Sequence, residues 1–314
     1  MEQLSLFPQS EPQPSEATSS LELVRADLSS SQGANARVDH CADEAPSARE
    51  LDQFYTRERV AKELFEWFLE QYGTHHSCST TRRTFLEPSA GTGAFLKLLP
   101  PGSLAYDIDP KAPDIIQADF LTIKLPLADN LIIIGNPPFG KNASMAVKFF
   151  NHAAVSADVI AFVVPRTFQK QSIQNRLHRG FHLLAERGVE KDAFIYEGQA
   201  KDVPTVFQIW VKQPCPRPKI KLPVVHPDFD FTTAGQADFA VQRVGANAGK
   251  VHRNFDLSAS SHYFLRANVS GVEAAMRQID FRTLARRTVG NPSLTKTELV
   301  QLYENHLRQT QGEI

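Results

Sequence analysis

The residues best suited to chemistry are Asn136, Pro137, Pro138 and Phe139, which directly follow the aliphatic run 131–134. Four aliphatic and mostly β-branched residues predict a strand that is buried on both faces, as in a parallel sheet. The prolines end that strand, because proline donates no ladder hydrogen bond and disfavours helix before it. The pattern predicts a polar amide and an aromatic ring at the carboxyl end of a strand, where open α/β sheets bind ligands.

A glycine-bearing turn occurs earlier in the chain, where Thr84 to Glu87 predicts a strand and Pro88 to Gly93 a turn into a helix. Glycine lets a backbone approach a ligand closely. The dinucleotide fingerprint is incomplete, because Leu96 stands where a third glycine is needed, and no P-loop Gly-Lys-Ser/Thr follows. A phosphate ligand is therefore not supported.

Acidic residues follow the next two predicted strand ends, at Asp107 and Asp109 and then at Asp119 beside Phe120. Carboxylates at these points suit a ligand with a cationic end, ribose hydroxyls and a base. Together with the glycine turn and the later Asn-Pro-Pro-Phe, in that order, about residues 52 to 212 resemble the class I S-adenosylmethionine-dependent methyltransferases. The combination resembles in particular the adenine amino-group methyltransferases of DNA.

The resemblance implies methyl transfer from S-adenosylmethionine to the N6 amine of adenine in DNA, on a doubly wound, Rossmann-like α/β sheet. It implies that Asp107 takes the ribose hydroxyls, with Asp109 left as an alternative, and that Asp119 and Phe120 take the adenine. The implied cofactor residues are Tyr55, Thr56, Glu87, Pro88, Ala90, Gly91, Gly93, Asp107, Ile108, Asp119, Phe120 and Asn136.

The predicted catalytic residues are Asn136, Pro137, Pro138 and Phe139. The adenine amine is a weak nucleophile, because its lone pair is delocalised into the ring. The Asn136 side-chain oxygen and the Pro137 carbonyl would accept its two hydrogens and favour a tetrahedral nitrogen. Phe139 would offer a flat face to an extruded base, an interaction worth about 1 to 3 kcal/mol. Neither a metal nor a covalent nucleophile is required.

Composition adds limits to this interpretation. The 314 residues carry a net charge of -1 and three scattered cysteines, so we expect neither a disulfide framework nor a zinc site. No segment reaches the roughly 18 apolar residues of a membrane span, and no signal-peptide pattern begins the chain. We therefore expect a cytoplasmic protein, and the resemblance implies a bacterial, phage-borne or plasmid-borne enzyme associated with the nucleoid.

Changes in composition suggest three regions. Residues 1–50 are rich in Pro, Ser, Gln and Glu and predict a disordered arm. Residues 51–212 form the predicted catalytic domain, and a proline-rich boundary precedes residues 213–314, a predicted small α+β target-recognition region. At the start of the arm, Gln3, Leu4, Leu6 and Phe7 resemble the peptide by which bacterial proteins dock on the β sliding clamp.

Contacts with DNA phosphates are expected from two basic segments. Arg166 and Lys170 precede the predicted helix Gln171 to Leu184, which carries Arg176 and Arg179. Lys250 and Arg253 follow a glycine-rich turn in the C-terminal region. A solvated surface explains either segment as well.

Four local predictions can be checked against the structure. Thr56 caps the first helix, and Ser144 caps a helix that extends to Val155. The segments 193–196 and 205–211 form paired strands. Thr295 and Glu298 form a capping box for a last helix ending near Leu307.

Other functions stay open at this point. Methylation of an RNA adenine or of a protein glutamine side chain is one alternative, because each presents a planar nitrogen whose lone pair is delocalised. Phe139 favours a base as the substrate. A catalytically inactive adaptor that binds DNA or the clamp is a further alternative. Intact acids at Glu87, Asp107 and Asp119, together with Asn136, argue against the inactive adaptor.

Overall fold

The structure is a computed structural model that describes residues 54–75 and 83–312. The predicted arm and the peptide of Gln3, Leu4, Leu6 and Phe7 lie outside the described residues. The strands are β1 Tyr55–Thr56, β2 Thr84–Glu87, β3 Leu104–Asp107, β4 Ile116–Gln117, β5 Leu131–Gly135, β6 Val159–Pro165, β7 Phe181–Gly188, β8 Phe194–Tyr196, β9 Gln199–Lys201, β10 Thr205–Lys212, β11 Phe229–Thr232, β12 Phe239–Gln242, β13 Val251–His252 and β14 His262–Ala267. The α-helices are α1 Glu58–His75, α2 Ser144–Ala153, α3 Gln171–Gln174, α4 Val272–Gln278, α5 Phe281–Ala285 and α6 Lys296–Gln311.

Seven strands form the main sheet in the order β4-β3-β2-β5-β6-β10-β7. The first five run parallel, and β10 is antiparallel to both β6 and β7. Because the order reverses between β2 and β5, their carboxyl ends meet at a topological switch point. This is the strand arrangement of the class I methyltransferases, so the predicted fold class is confirmed.

Helix α1 covers one face of this sheet. Its buried residues Val60, Leu64, Phe68 and Tyr72 recur every four positions and pack in a core cluster with Ile132 and Ile134 of β5. Ile133, between them, is also fully buried but points to the opposite face. The aliphatic run of β5 is thus buried on both faces, as the sequence predicted.

The predicted helix Gln171 to Leu184 is wrong over most of its length. Helix α3 ends at Gln174, and from Phe181 the chain forms β7. The predicted pairing of the last two strands is also wrong, since β8 pairs with β1 and β9. Strand β10 is buried on both faces and lies between β6 and β7, which leaves no free edge for β8.

Two predicted helix caps are wrong as well. Thr56 lies opposite Phe194 in β1, and its side-chain hydroxyl has no hydrogen-bond partner in the described part of the chain. Ser144 is the first helical residue of α2, whose N-cap is the left-handed Ala143. The capping box of Thr295 and Glu298 is confirmed, although α6 extends to Gln311.

A second sheet, β11-β14-β12-β13, packs with α4, α5 and α6 around its own core, which includes Phe229, Phe239 and Leu265. It is joined to the main sheet's loops by a buried ion pair of 3.0 Å between Lys170 and Glu298. In the described ranges, no helix is long and apolar enough to cross a membrane.

Candidate functional site

A cavity of about 240 Å³ lies at the carboxyl ends of β2, β3 and β5. It is lined by most of the residues that the sequence analysis singled out: Tyr55, Thr56, Glu87, Pro88, Ala90, Gly91, Asp107, Ile108, Asp119, Phe120, Asn136 and Pro138. Gly93, Pro137 and Phe139 are not in its lining. The two separate motifs therefore share one cavity, because both follow strands that end at the switch point.

The glycine turn is shaped by Tyr55 and Asp107. Gly91 has a φ of +50°, and a Cβ at this position would lie 2.6 Å from Tyr55 Cδ1, so a larger residue would collide with the ring. The Gly91 amide donates a hydrogen bond of 2.7 Å to Asp107 Oδ2. Glycine is therefore needed here both for its backbone conformation and for the close approach of an aromatic side chain.

Asp107 lies in the cavity wall and Asp109 does not. Asp107 Oδ1 accepts a hydrogen bond of 2.8 Å from the Asp109 amide, which closes the turn after β3. Asp109 turns away and forms an ion pair of 2.6 Å with Lys111. Of the two carboxylates that the sequence left open, the geometry favours Asp107 as the one that meets a ligand.

Glu87 is a buried carboxyl group in the same wall. Its Oε2 accepts a hydrogen bond of 2.8 Å from the Leu96 amide, so the end of β2 is tied to the turn that follows. Burial raises the pKa of Glu87 well above its usual value, and the nearby charge of Asp107 adds to the increase. The amides of Leu96 and Phe95 act in the opposite direction by stabilising the charged form.

Asn136 lines the cavity and has one side-chain acceptor without a hydrogen-bond partner in the described chain. Its Nδ2 donates a hydrogen bond of 2.8 Å to the Phe54 carbonyl, which sets the orientation of the amide. Its Oδ1 is buried and has no hydrogen-bond partner within the described residues. The Ser89 hydroxyl donates to the Asn136 carbonyl at 3.0 Å, which joins the glycine turn to the end of β5.

The hydroxyl of Thr56 is a second buried polar group without a partner in the described ranges, and Thr56 also lines this cavity. A buried polar atom that makes no hydrogen bond costs about 1 to 3 kcal/mol. Such atoms are rare in folded proteins and often mark a position that a ligand fills. Both atoms belong to residues of the cavity wall, as a polar ligand would require.

Phe139 does not face the cavity, contrary to the prediction that it offers a flat surface to a base. Its side chain is 9% exposed and belongs to the core cluster under α1. Its carbonyl accepts the amides of Met145 and Ala146, which fixes the turn into α2. The Phe139 ring packs toward the sheet because the loop turns back at this point.

An aromatic pair next to Asn136 was missed by sequence reasoning. The rings of Phe54 and Tyr196 stack with their centroids 5.0 Å apart and an interplanar angle of 29°. Phe54 lines the cavity and its carbonyl accepts the Asn136 amide. No local signal reveals this pair, since Tyr196 reaches Phe54 only through the pairing of β8 with β1.

The loop between β5 and α2 carries backbone strain. Asn142 and Ala143 have φ values of 53° and 60°, in the left-handed region that residues other than glycine rarely adopt. Each such residue costs on the order of 1 to 3 kcal/mol. Strain of this kind is concentrated at functional sites, and Gly140 and Met145 on either side of these residues line the cavity.

The cavity wall opposite the glycine turn is aromatic. Phe120, predicted to contact a base, is buried and stacks on Phe149 of α2 with a centroid distance of 5.2 Å. Asp119, just before it, is exposed at the rim, where its Oδ1 accepts the Leu121 amide at 2.9 Å. The remaining residues of the cavity lining are Phe54, Ser89, Thr92, Ala94, Phe95, Ala118, Gly140, Met145 and Phe149.

The four predicted phosphate contacts differ in their surroundings. Lys170 is 7% exposed and paired with Glu298, which contradicts the prediction that it contacts DNA from the surface. Arg253 is exposed, but its Nε donates to Glu273 at 3.0 Å. Lys250 is exposed and Arg166 is half-buried.

In the described part of the chain, no group of three His, Cys, Asp or Glu residues could hold a metal ion.

Strand order and cavity together define a methyltransferase fold of class I. No protein-family model matches the sequence, and no curated protein is significantly similar to it. Among solved structures, the chain is similar to a Pyrococcus horikoshii protein described as an RNA methyltransferase, with 19% identity, a TM-score of 0.40, and 54% of this chain and 90% of that chain covered.

Two further solved structures are similar to the chain. One is described as a class I S-adenosylmethionine-dependent methyltransferase from Listeria monocytogenes, with 12% identity, a TM-score of 0.38, and 66% of this chain and 73% of that chain covered. The other is described as a modification subunit of a type I restriction enzyme from Vibrio vulnificus, with 14% identity, a TM-score of 0.36, and 90% of this chain and 64% of that chain covered. At such scores the assignment of the fold rests on the strand order itself.

Proposed function

We propose that this chain transfers a methyl group from S-adenosylmethionine to the N6 amine of adenine in DNA. The observation that carries the proposal is the buried, unpartnered Oδ1 of Asn136, which lies in the same cavity as Gly91 and Asp107. Because the Asn136 side chain is fixed beside a turn suited to a nucleotide, its free oxygen could accept a hydrogen bond from the amine that reacts with the cofactor.

The cavity residues fit S-adenosylmethionine in the types of polar and aromatic group that they supply. Glu87 and Asp107 supply carboxyl groups for a cationic methionine end and for ribose hydroxyls, and Phe120 with Asp119 suits an adenine ring and its amine. The unpartnered hydroxyl of Thr56 supplies a further polar contact. When bound, the cofactor provides an electrophilic methyl group on a positively charged sulfur.

The chemistry left to the protein is the positioning of the target amine. Asn136 Oδ1 would accept one amine hydrogen, which helps to localise the nitrogen lone pair for attack, whereas Pro137, predicted to accept the second hydrogen, is not part of the cavity lining. With the cofactor bound, the amine nitrogen would attack its methyl group as the bond from methyl to sulfur breaks, and the amine would then lose a proton to solvent. Holding the two reactants in line supplies most of the rate acceleration.

The target base needs a flat apolar surface near Asn136. The stacked pair Phe54 and Tyr196 offers this surface, because Phe54 lies in the cavity wall and its carbonyl holds the Asn136 amide. Stacking on an aromatic side chain is worth about 1 to 3 kcal/mol per base. This pair takes the place in the proposal that the buried Phe139 cannot take.

Identification of the methylated product tests the proposal. Purified protein would be incubated with cofactor carrying a tritiated methyl group and with duplex DNA, single-stranded DNA, RNA or protein acceptors, followed by nucleoside analysis. The expected product is N6-methyladenine in DNA. Label found only in RNA or in a protein glutamine would reject DNA as the substrate, and calorimetry without any cofactor binding would reject the methyltransferase assignment.

A further inference from the structure

A second concave surface lies beside helix α2, where β7 begins and β10 ends, at the edge of the main sheet opposite to the cavity. It is an open cleft of about 600 Å³ formed by the segments 175–180 and 213–219, together with Asn151 of α2. We call it the basic cleft, because its exposed charged side chains are Arg176, Arg179 and Lys219. The proline-rich segment that the sequence suggested as a boundary is thus part of a surface.

The sequence around the basic cleft lacks negative charge. Residues 159–185 and 203–227 contain no Asp or Glu, whereas they contain eight Lys or Arg: Arg166, Lys170, Arg176, Arg179, Lys212, Arg217, Lys219 and Lys221. In the chain as a whole, acidic residues are as frequent as basic ones, at 35 against 34. Positive charge is therefore concentrated in the two segments that meet at the cleft.

The cleft arginines are held by backbone carbonyls instead of by carboxylates. Arg217 donates from Nε to the Phe181 carbonyl at 2.6 Å and lies over the Trp210 ring at 5.2 Å. Arg179 donates from Nε to the Arg217 carbonyl at 2.7 Å. Burial, and to a lesser extent the positive charge of the neighbouring Arg179, lower the pKa of Arg217.

None of the cleft's cations takes part in an ion pair with a carboxylate of residues 54–75 or 83–312. Arg253 in the second sheet, by contrast, is bonded to Glu273. A guanidinium that donates to one carbonyl retains several N–H groups for a further acceptor. The cleft therefore offers positive charge and hydrogen-bond donors that an anion can use.

Asparagine side chains fix the shape of the cleft. Asn175 exchanges two hydrogen bonds with the backbone of Ile220, at 2.8 and 3.1 Å, and so joins the two segments. Asn151 Oδ1 accepts the His178 amide at 2.7 Å, and its Nδ2 donates to the Arg176 carbonyl at 3.0 Å. The positive charges are thus presented on a backbone that side chains hold in place.

The basic cleft and the cavity are connected through α2 and the strained loop before it. Phe149 lines the cavity and Asn151 lines the cleft, which places the two surfaces on different sides of one helix. Arg176 Nη1 lies 3.4 Å from the carbonyl of Asn142 in the strained loop. Strand β6 spans about 20 Å between the two edges of the sheet, which corresponds to about six base-pair steps at 3.4 Å per step.

We infer that the basic cleft binds the phosphate backbone of the nucleic acid about six base-pair steps from the base held at Asn136. The inference rests on the proposed function, since it names the path of the substrate strand away from the cavity. Phosphates fit because they are anions that accept hydrogen bonds from arginine, and because such contacts carry no sequence information. The proline-rich segment acts here as one wall of a substrate channel.

The test is the salt dependence of DNA binding by the full chain. The variant Arg179→Gln with Lys219→Gln removes two cleft charges. If each contacts a phosphate, the slope of log affinity against log salt falls by about 1.4 to 1.8, which is about a 25- to 60-fold loss near 0.1 M salt. The probe is a short mixed-sequence duplex, with the matching single strand measured beside it.

The matched control is Lys62→Gln with Arg308→Gln, which removes one lysine and one arginine that are 64% and 62% exposed and lie outside both cavity and cleft. Its salt slope is expected to equal that of the wild type. The variant Arg179→Lys with Lys219→Arg keeps the charge and is expected to restore the slope. Unchanged S-adenosylmethionine affinity and thermal unfolding in all variants show that the fold is intact.

The possible outcomes separate this inference from the proposed function. A cleft variant with the wild-type slope, or a control with the same loss, overturns the inference even when the wild type methylates DNA. A selective loss of slope in a protein that methylates nothing supports the cleft and overturns the proposed function. A wild type that binds neither duplex nor single strand overturns the inference directly.

Discussion

The two sides of the cavity differ in how their polar groups are satisfied. On the glycine-loop side, residues 87–96 and 107–109, Asp107 accepts two backbone amides and Glu87 accepts another. On the β5 side, residues 54–56 and 136–143, the polar atoms Asn136 Oδ1 and Thr56 Oγ1 are buried without partners in the described chain. The β5 side also holds the left-handed Asn142 and Ala143.

This difference suggests that the two sides contribute differently to stability and to activity. On the glycine-loop side, the carboxylates form hydrogen bonds with backbone amides even without a ligand. Substitutions there should therefore weaken both the fold and cofactor binding. The β5 side contains polar atoms without hydrogen-bond partners and residues with strained backbone conformations. Both are typical of sites that bind a ligand. Substitutions there should reduce activity much more than stability, and the predictions below test this contrast.

The largest expected effect is that of Asn136→Ala. The rate of methyl transfer should fall at least 100- to 1,000-fold, because the acceptor for the target amine is lost. S-adenosylmethionine affinity and the thermal unfolding midpoint should change little. Asn268→Ala is the control, since Asn268 also donates from Nδ2 to a carbonyl, that of Pro227 at 3.0 Å, in the second sheet. Full activity in Asn136→Ala would remove the basis for the proposed role.

The next effect is that of Asp107→Ala, which should weaken S-adenosylmethionine binding by about 10- to 150-fold. The estimate corresponds to about 1.5 to 3 kcal/mol for a hydrogen bond to a charged acceptor. The unfolding midpoint should also fall, because the amides of Gly91 and Asp109 lose their acceptor. Calorimetry on Asp109→Ala provides the comparison, and a larger loss of affinity there would assign the ligand contact to Asp109.

Gly91→Ala should destabilise the glycine-loop side by a collision with Tyr55. Gly102 has a similarly positive φ of +87°, but a Cβ there meets no atom within 4 Å. Gly102→Ala therefore measures the backbone cost alone, about 1 to 2 kcal/mol. Gly91→Ala should lower the unfolding free energy by more than this and should also weaken cofactor binding. Equal losses in the two variants would show that Tyr55 moves aside freely.

The smallest effect concerns the pH dependence of stability through Glu87. Its pKa in the folded chain is raised above the usual 4.5, so its stabilising contribution is present below pH 4.5 and is lost as pH rises through the folded pKa. Glu87→Gln stays neutral, so its unfolding free energy relative to the wild type should increase as pH rises from about 5 to 8. Glu66→Gln, at an exposed position, should show no such trend. A flat difference for Glu87→Gln would mean that the carboxyl group is charged in the folded chain.

Much of the site could be predicted because it is encoded locally. The aliphatic run of β5 followed by two prolines, and the strand before Gly91, specify where each strand ends. In a parallel sheet those ends lie at the same edge, so Asn136 and Asp107 were expected to be close. The capping box of Thr295 and Glu298 was predicted for the same reason, since its hydrogen bonds span three residues.

Only the tertiary structure decided the features that depend on distant pairing. A sequence window does not show that residues 181–188 complete the main sheet, because that strand exists only through its hydrogen bonds to β10. Long-range packing likewise explains why Phe139 is buried in the core and why Tyr196 stacks on Phe54. It also explains why Lys170 forms an ion pair with Glu298. Local sequence thus determined which residues stand at the strand ends, whereas long-range packing decided which side chains face the cavity, because burial depends on neighbours that are remote in the chain.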